Sequence, residues 1–315
     1  MSRVTVHCQG YPPAFNHFNQ NHDMDVTPWR FMIASLTLGF QRFWAEVGWG
    51  PRLWLHRLGL GMSGMSFLKD EYGQLRLADD YRHLDGSEKA AMSYWQGMVF
   101  AKLAAEDALG VRWLVHADVL ERRRILTRTA GAKKRADMVG QDDLRNWHVI
   151  EAKGYSNAYS AEKVTKAKTQ AGVVSRINHQ PPATTSASVT SLWTSPIHVH
   201  LDDPPPPGKE HWTVSEPEFW QHYYGGMVDY ILKARRLQQH QEFPGFTFAN
   251  LMPIVGAIPL KMRTKDWEPL MIGLPDDLLK DASLAPKLIP RLMAKGHLGP
   301  MAGDGVALAG TTFDW

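Results

Sequence analysis

The sequence contains very little cysteine. Cys8 is the only cysteine among 315 residues, so an internal disulfide framework and a cysteine-based zinc ribbon or finger are both excluded. Strong net charge is also absent, because the formal net charge is only +3. An anionic partner would therefore have to be bound by a local basic patch rather than by the field of the whole molecule.

Long hydrophobic runs are absent as well. The most apolar stretch, FMIASLTLGF at 31–40, is well short of the roughly 20 residues that a membrane-spanning helix needs. The first residues, MSRVTVHCQG, lack the apolar stretch of a signal peptide. With 44% hydrophobic and 21% charged residues, the composition is that of a globular protein with a sizeable core. We therefore expect a soluble, cytoplasmic protein with no membrane partner.

The clearest break in the chain is the segment DDPPPPGK at 202–209. Its four consecutive prolines predict a stiff, extended connector, and we place a boundary there. Before it we expect an N-terminal elaboration (1–84) packed on a core domain (85–201). Residues 210–315 are expected to form a C-terminal extension that provides a partner, dimer or sensor surface.

The core region carries the clearest secondary-structure signals. Asp85 and Glu88 have the spacing of a capping box, and a strong helix is predicted from there to Gly110. Alternating and β-branched residues then predict strands at 111–120, 135–140 and 147–154.

A second helix is predicted after these strands. Ser160 is a suitable N-cap, and the helix is expected to continue through residue 177 because its apolar residues share one face. These residues are Val164, Ala167, Ala171 and Val174. Two further β-rich segments follow at 187–193 and 197–201. The order helix, three strands, helix, strand predicts an α/β domain.

Three charged residues on the second and third predicted strands are the candidate catalytic residues. Glu151 and Lys153 are two positions apart, so on a strand they point to the same face, while Ala152 points into the core. Asp137 lies on the preceding strand, which the short turn makes an antiparallel neighbour. Two converging carboxylates form a hard-oxygen site for Mg²⁺ or Mn²⁺. An adjacent ammonium group can orient a water molecule and stabilise a pentacovalent phosphate.

The segments RADMVG and WHVIEAKG resemble the motif of the PD-(D/E)xK nuclease superfamily. The resemblance covers roughly residues 85–195, and the predicted elements follow the αβββαβ core of that family in order. It implies an α/β fold with a restriction-endonuclease-like core and N-terminal and C-terminal extensions. Ala136 stands where the motif has proline, a position that varies widely in the family.

The resemblance also implies roles for individual residues. Asp137 and Glu151 would bind the metal ion, and the Ala152 carbonyl would be a further ligand. Lys153 would position the water or act as the general base. Glu88 is the candidate for an additional metal ligand from the first helix.

Other residues are expected to contact nucleic acid. Lys166 or Gln170 could serve as the polar residue that some branches of the family place on the helix after the lysine. A basic segment lies between the first two predicted strands, with no acidic residue after Glu121. It contains Arg122, Arg123, Arg124, Arg128, Lys133, Lys134 and Arg135. It is predicted either to grip phosphate groups or to form a solvated charged loop, and the sequence leaves both open.

The function implied by the resemblance is Mg²⁺-dependent hydrolysis of DNA phosphodiester bonds, leaving 5′-phosphate ends. Double-stranded DNA is the expected partner, and cutting both strands would favour a homodimer. Analogy suggests an anti-phage or restriction-type role, including as a subunit of a defence complex. Two alternatives remain: the same core acting on RNA or in repair, and a non-catalytic nucleic-acid-binding or scaffold subunit.

Three other motifs are interpreted differently. GLGMSG at 59–64 matches a dinucleotide-binding pattern, but no βαβ unit surrounds it, so a glycine-rich turn is predicted instead. The motif HVHLDD could bind zinc through His198, His200 and Asp202, but alternating histidines on an edge strand are expected simply to be exposed. NHFNQNHD at 16–23 is interpreted as a polar loop because it lacks the strand–helix arrangement of a His-Asn-His nuclease.

Overall fold

The chain folds as a mixed α/β protein, which confirms the predicted class. A computed structural model describes residues 2–38, 51–129, 136–157, 160–203, 208–250, 271–294 and 303–309. The helices are α1 (Pro28–Thr37), α2 (Pro51–Ser66), α3 (Gly86–Leu109), α4 (Ala117–Arg122), α5 (Ala161–Ala171), α6 (Glu216–Arg236), α7 (Asp276–Lys280) and α8 (Ala285–Ala294). The strands are β1 (Ser2–Gln9), β2 (Asn21–Val26), β3 (Leu68–Glu71), β4 (Gln74–Leu77), β5 (Trp113–His116), β6 (Leu126–Arg128), β7 (Met138–Gln141), β8 (Trp147–Tyr155), β9 (Val174–Ile177), β10 (Thr184–Ser191), β11 (His198–Asp202), β12 (Glu210–Val214), β13 (His240–Phe243), β14 (Phe246–Asn250), β15 (Met271–Pro275) and β16 (Ala307–Ala309).

The chain divides into two compact units, and each is discontinuous in sequence. The first comprises mainly Met1–Thr27 and Met62–Ser215, and the second comprises Pro28–Gly61 and Glu216–Asp314. The predicted boundary at 202–209 lies shortly before the chain leaves the first unit. The four prolines of that segment lie outside the described residues.

A large mixed sheet forms the centre of the first unit. Its strands follow the order β3-β4-β1-β11-β10-β8-β7-β5, and β2 also pairs with β1. Strand β8 is antiparallel to β7 and parallel to β10, so the connection between β8 and β10, which contains α5 and β9, is a crossover. Strand β11 runs antiparallel to β10 and parallel to β1. The N-terminal strands therefore belong to the same sheet as the strands of the predicted core.

Helix α3 begins and ends where the sequence predicts. Asp85 is its N-cap and accepts a hydrogen bond from the Glu88 amide, while the Glu88 carboxylate accepts one from the Asp85 amide. This reciprocal pair is the predicted capping box. The helix ends at Gly110, which adopts the left-handed conformation with a φ of 70° and accommodates it without a side chain.

Two helices cover opposite faces of the sheet at β8 and β10. Helix α3 approaches β8 so closely that a Cβ atom on Gly97 would lie 2.5 Å from the Gly154 amide nitrogen. On the other face, α5 packs onto β10. The buried cluster there consists of Val164, Ala167, Ala171, Ala187 and Val189. Because Val189 is the register partner of Lys153 and side chains alternate along a strand, α5 lies on the Lys153 side of the sheet.

Helix α5 ends earlier than predicted. It starts after Ser160 and buries its predicted apolar face as far as Ala171, but Gly172 then follows as the C-cap. Residues Val174–Ile177 form β9 instead, which pairs with β12 in a three-stranded sheet of order β6-β12-β9. The prediction of a helix through residue 177 is wrong because the partner strand lies far along the chain, where local periodicity cannot detect it.

Two further predictions about local structure are wrong. The segment 111–120 is a strand only over Trp113–His116, after which α4 begins. The glycine-rich turn predicted at 59–64 is part of α2. A Cβ atom on Gly61 would lie 2.8 Å from Met32 Sδ, so this glycine allows close packing of two helices.

The two histidine-containing motifs also differ from expectation. His198 and His200 lie on β11, which is flanked by β1 and β10, so they are half-buried on an interior strand rather than exposed at an edge. The polar loop expected at 16–23 is ordered, because Pro13–Phe18 forms a 3₁₀ helix and β2 begins at Asn21.

The second unit contains a four-stranded antiparallel sheet of order β13-β14-β15-β16. Helix α6 packs against β14 and β15. Its buried tyrosines, Tyr223 and Tyr224, donate hydrogen bonds of 2.5 Å to the side chain and the carbonyl of Asp304. None of the helices in the described ranges combines the length and the apolar composition needed to cross a bilayer.

Candidate active site

Strands β7 and β8 bring the two predicted carboxylates together. Their antiparallel register pairs Met138 with Ile150, so one position further out Asp137 stands opposite Glu151. The Asp137 amide donates a hydrogen bond of 3.0 Å to Glu151 Oε2. Lys153 lies two residues along β8 and therefore points to the same face as Glu151.

Lys153 contacts both carboxylates. Its Nζ lies 3.6 Å from Asp137 Oδ2 and forms an ion pair with Glu151 Oε1. Asp137 Oδ2 also accepts a hydrogen bond of 3.1 Å from the Ala152 amide. Asp137, Glu151 and Lys153 are called the carboxylate–lysine cluster below. The side chains of Asp137 and Lys153 are 24% and 25% exposed, whereas that of Glu151 is fully buried. Solvent therefore reaches the cluster at Asp137 and Lys153.

Burial and neighbouring charges shift the pKa values of Glu151 and Lys153. Burial raises the pKa of the Glu151 carboxyl to about 7; the negative charge of Asp137 adds to this rise and the contacts with Lys153 oppose it. Burial acts to lower the pKa of Lys153, but the charges of Asp137 and Glu151 outweigh it and hold that pKa above its ordinary value. The ammonium group is therefore kept protonated, while the buried carboxylate lacks full charge compensation.

Asp137 and Glu151 are the acidic side chains that could hold a metal ion, provided that the ion takes its other ligands from outside the protein. In the part of the chain that the structure describes, no group of three or more His, Cys, Asp or Glu residues is arranged to hold a metal. Among the described residues Glu88 does not form such a group with Asp137 and Glu151, and its carboxylate instead caps α3. Mg²⁺ commonly binds one or two carboxylates and keeps water or substrate phosphate as its other ligands, so two carboxylates suffice. The Ala152 carbonyl stays a predicted further ligand.

Helix α5 borders the same face of β8. Lys163 Nζ lies 4.3 Å from the ring centroid of Tyr155, the residue that follows Lys153 on this face. Gln170 comes two helical turns after Lys163 and so lies on the same flank of α5, whereas Lys166 is on the exposed surface. Gln170 is therefore the better placed of the two helical candidates. The sequence interpretation missed Tyr155, although the alternation along β8 includes it.

Three of the predicted basic residues lie at the end of α4. The first residue of this helix, Ala117, donates its amide to the Asp137 carbonyl at 2.9 Å, which ties the start of the helix to the cluster. Arg122 is the last residue of the helix, about 8 Å along its axis, and Arg123 and Arg124 follow directly. The side chains of Arg122 and Arg124 are exposed.

Arg128 does not fit the predicted phosphate-binding role. Its Nη2 lies 3.2 Å from Asp118 and 3.3 Å from Glu121, and its guanidinium group lies 4.8 Å from the ring centroid of Trp212. With a side chain that is only 7% exposed, it is a structural cation. The remaining predicted phosphate contacts, Lys133, Lys134 and Arg135, lie outside the described residues.

A second polar group, at the end of β11, was not predicted. Asp202 is buried, forms an ion pair of 3.0 Å with Lys168 of α5 and accepts a hydrogen bond of 2.9 Å from the Gln9 side chain of β1. The ion pair fastens α5 to β11. Asp203 accepts a hydrogen bond of 2.6 Å from the Thr185 amide. Burial raises the pKa of Asp203 to about 6, against the effect of its hydrogen bonds to Thr185.

The zinc site considered for His198, His200 and Asp202 is not formed within the described ranges. The two histidines instead stack on His7 of β1, with ring centroids 5.2 Å and 5.1 Å apart. The strands that carry these residues were not recognisable as neighbours from the sequence.

The carboxylate–lysine cluster combines oxygen ligands for a divalent cation with a protonated amine that can contact a water molecule or a phosphate. It is accessible from solvent, and exposed arginines lie at the far end of α4, the helix whose first amide donates to the Asp137 carbonyl. No family model, curated protein or solved structure matches the chain. Its function is therefore inferred from the geometry of the cluster.

Proposed function

We propose that this chain is a metal-dependent nuclease of the PD-(D/E)xK type that hydrolyses DNA phosphodiester bonds. The observation that carries the proposal is the convergence of Asp137, which directly precedes β7, with Glu151 and Lys153 of β8 at contact distances. A buried carboxylate beside a second carboxylate destabilises a fold unless its charge is compensated. A divalent cation at this position, together with Lys153, would supply that compensation.

The order of elements supports the same assignment. Helix α3 is followed by β5, β7 and β8, which are consecutive antiparallel neighbours, and then by α5 and the parallel strand β10. This order corresponds to the αβββαβ core expected of the superfamily. Relative to that core, α4 and β6 are inserted before β7, and β9 is inserted before β10.

The roles of the cluster follow from its chemistry. Asp137 and Glu151 would bind Mg²⁺ or Mn²⁺, with the Ala152 carbonyl as a further ligand. A bound divalent ion lowers the pKa of a water molecule and offsets negative charge on the phosphate. Lys153 donates hydrogen bonds to the attacking water or to a non-bridging phosphate oxygen. Because the carboxylates keep its pKa high, we assign it positioning and charge stabilisation rather than proton abstraction.

The proposed substrate is double-stranded DNA. Arg122 and Arg124 are exposed at the end of α4 and are suited to contact backbone phosphates. Gln170 is suited to contact the strand near the metal. Cutting both strands would require two copies of the site, as in a homodimer. A role in anti-phage defence or restriction, alone or within a complex, is proposed by analogy. RNA cleavage, repair and a non-catalytic scaffold role are the alternatives.

A cleavage assay on a panel of substrates tests the proposal. Plasmid, linear duplex, single-stranded DNA and RNA are incubated with the protein in Mg²⁺, Mn²⁺ or EDTA. Lys153→Ala is expected to lower the rate by about 100-fold or more, because it removes a preorganised donor to the transition state. Lys280→Ala is the control, since the Lys280 side chain is 77% exposed and remote in sequence from the cluster. It is expected to retain the full rate.

The outcomes separate the alternatives. Metal-dependent DNA cleavage that is lost only in the Lys153→Ala variant supports the proposal, and a preference for RNA selects the first alternative. Equal cleavage by both variants would contradict it, because the activity would then come from elsewhere. Absence of cleavage, with nucleic-acid binding that is unaffected by EDTA and by Lys153→Ala, selects the scaffold role.

A further inference from the structure

A cavity of about 550 Å³ lies between the β3–β4 hairpin and the loop after β10, within the first unit. Its volume is within the range of roughly 300–1,000 Å³ that is typical of small-molecule sites. The hairpin side is formed by residues of β3, β4 and the 3₁₀ helix at Asp79–His83, and the loop side by 192–195. This space is called the hairpin cavity below.

An exposed tryptophan stands at the hairpin cavity. Trp193 lines it and is 58% exposed, an unusual state for the largest apolar side chain. An accessible indole ring is a platform on which a nucleobase can stack, whatever its identity. A solvated tryptophan that also borders a cavity therefore indicates a flat, aromatic ligand.

Three cationic and two acidic side chains line the same cavity. Arg76 pairs with Glu71, and Lys69 lies 3.0 Å from Asp79, while Arg82 adds a third cation. Arg76 Nε is buried and has no hydrogen-bond acceptor among the described residues. The side chain of Arg76 as a whole is 28% exposed, so part of its guanidinium group can be reached from solvent although Nε cannot. An anionic oxygen, such as that of a phosphate, can pair with the exposed part of a guanidinium group.

We propose that the hairpin cavity binds one unpaired nucleotide, with its base on Trp193 and its phosphate at Arg76. The nucleotide has two potential sources, a free mononucleotide or the substrate strand, and the second rests on the proposed nuclease function. The geometry favours the strand. The Leu192 amide donates to the Tyr155 carbonyl at 2.9 Å, beside the end of β8. Val189 is the register partner of Lys153, and Trp193 follows Val189 by four residues. The backbone between these two residues spans at most ~13 Å.

A binding measurement in EDTA tests this site without any cleavage. A short fluorescein-labelled oligothymidylate and a labelled adenosine monophosphate are titrated with wild-type protein, and anisotropy is recorded. Trp193→Ala is expected to weaken binding about tenfold or more, and Trp193→Phe to restore most of it, because base stacking needs an aromatic ring. Tyr72→Ala is the matched control: Tyr72 is 96% exposed, lies in the turn between β3 and β4 and does not line the cavity. Its affinity is expected to equal that of the wild type.

The two probes distinguish the source of the nucleotide. Trp193-dependent binding of the oligonucleotide assigns the site to a strand, and Trp193-dependent binding of the mononucleotide alone assigns it to a free nucleotide. The proposal is overturned if neither probe binds, or if Trp193→Ala binds as tightly as wild type while thermal melting shows that both are folded. An abasic oligonucleotide that binds as tightly as oligothymidylate overturns it as well. Binding is recorded in EDTA without any cleavage, so loss of this site in Trp193→Ala and loss of cleavage in Lys153→Ala are measured in separate assays.

Discussion

Glu151 is the residue at which the proposed metal-binding role and the stability of the fold oppose each other. Its carboxylate is fully buried, and burial together with the charge of Asp137 raises its pKa to about 7 even though Lys153 opposes the shift. Above that pH, the Glu151 carboxylate is ionised in the metal-free fold, where its charge is less stable than in the unfolded chain. The ionised group therefore lowers the free energy of unfolding. Such strain is common at sites that are organised to bind a cation.

Replacing Glu151 with Gln is therefore expected to stabilise the protein and abolish metal binding. The amide oxygen can still accept the Asp137 amide hydrogen, while the buried charge is removed. In EDTA at about pH 8, the free energy of unfolding is expected to rise by roughly 1 to 3 kcal/mol. Thermal melting with and without Mn²⁺ measures both effects. A melting temperature that Mn²⁺ still raises in the variant would show that Glu151 is not a ligand.

Asp203 provides a pH dependence outside the carboxylate–lysine cluster. Burial raises its pKa to about 6 from the ordinary value of 3.8, so the folded protein binds this proton more tightly than the unfolded chain. The stabilisation from that proton is complete below pH 3.8 and is lost as the pH rises through 6. Asp203→Asn keeps an acceptor for the Thr185 amide and removes the titration.

The variant is expected to gain stability over the wild type as the pH rises. The difference in free energy of unfolding, variant minus wild type, should be larger by roughly 2 kcal/mol at about pH 7.5 than at about pH 4. Urea denaturation of both proteins at both pH values measures this difference. The contributions of the other titrating groups are the same in both proteins and therefore cancel. A difference that is the same at both values would mean that Asp203 titrates normally in the fold.

At the scale of elements, the contact between α3 and β8 controls the position of Lys153. The Cβ of an alanine at Gly97 would meet the backbone of Gly154, and one at Gly154 would overlap the Ser93 carbonyl. Gly97→Ala is therefore expected to destabilise the protein by roughly 2 kcal/mol or more, although alanine normally favours a helix interior by about 1 kcal/mol. Cleavage is expected to fall about tenfold or more, because β8 must shift.

Gly86→Ala is the matched control for this prediction. Gly86 is the first residue of the same helix, and a Cβ atom there would meet nothing within 4 Å. Its stability is expected to stay within about 0.5 kcal/mol of the wild type. Chemical denaturation and the cleavage assay measure both variants. If Gly97→Ala were as stable as Gly86→Ala, the close approach of α3 to β8 would be refuted.

Elements defined by local signals could be predicted from the sequence. The capping box of α3 and the alternation along β8 depend on residues a few positions apart, so the positions of Glu151 and Lys153 on one face were predictable. Asp137 was predictable because its strand is joined to β8 by a short turn. The nuclease function and its metal ion stay predictions.

Features that depend on distant partners could not be predicted. The sequence predicts the end of a helix where β9 forms, because the partner of β9, strand β12, lies more than thirty residues later. The ion pair between Lys168 and Asp202 is not predictable, since nothing local in the sequence places these two residues together. The sequence predicts a phosphate contact for Arg128, because local signals do not reveal that Arg128 packs on Trp212 of a strand distant in sequence.

At the scale of the whole molecule, the discontinuity of the two units determines how the chain can be divided. The second unit takes Pro28–Gly61 from between two parts of the first. Helix α1 in that segment contacts β16, and almost every residue from Pro28 to Thr37 is buried. The predicted C-terminal extension is therefore only part of a unit, and a cut at the boundary predicted near 202–209 would separate that part from the rest.

A chain truncated after Ser215 is expected to aggregate for this reason. It would retain α1 but lack the remainder of its unit, leaving side chains such as Phe31, Met32 and Leu36, which are fully buried in the intact chain, without cover. Exposing three such residues costs roughly 5 kcal/mol or more.

Replacing Pro28–Gly61 of the truncated chain with a flexible linker removes these residues and is expected to restore a monomer. Size-exclusion chromatography and thermal melting compare the two. A truncated chain that keeps Pro28–Gly61 yet runs as a monomer and melts cooperatively would show that α1 does not need the C-terminal residues, and that the division of the chain into these two units is incorrect.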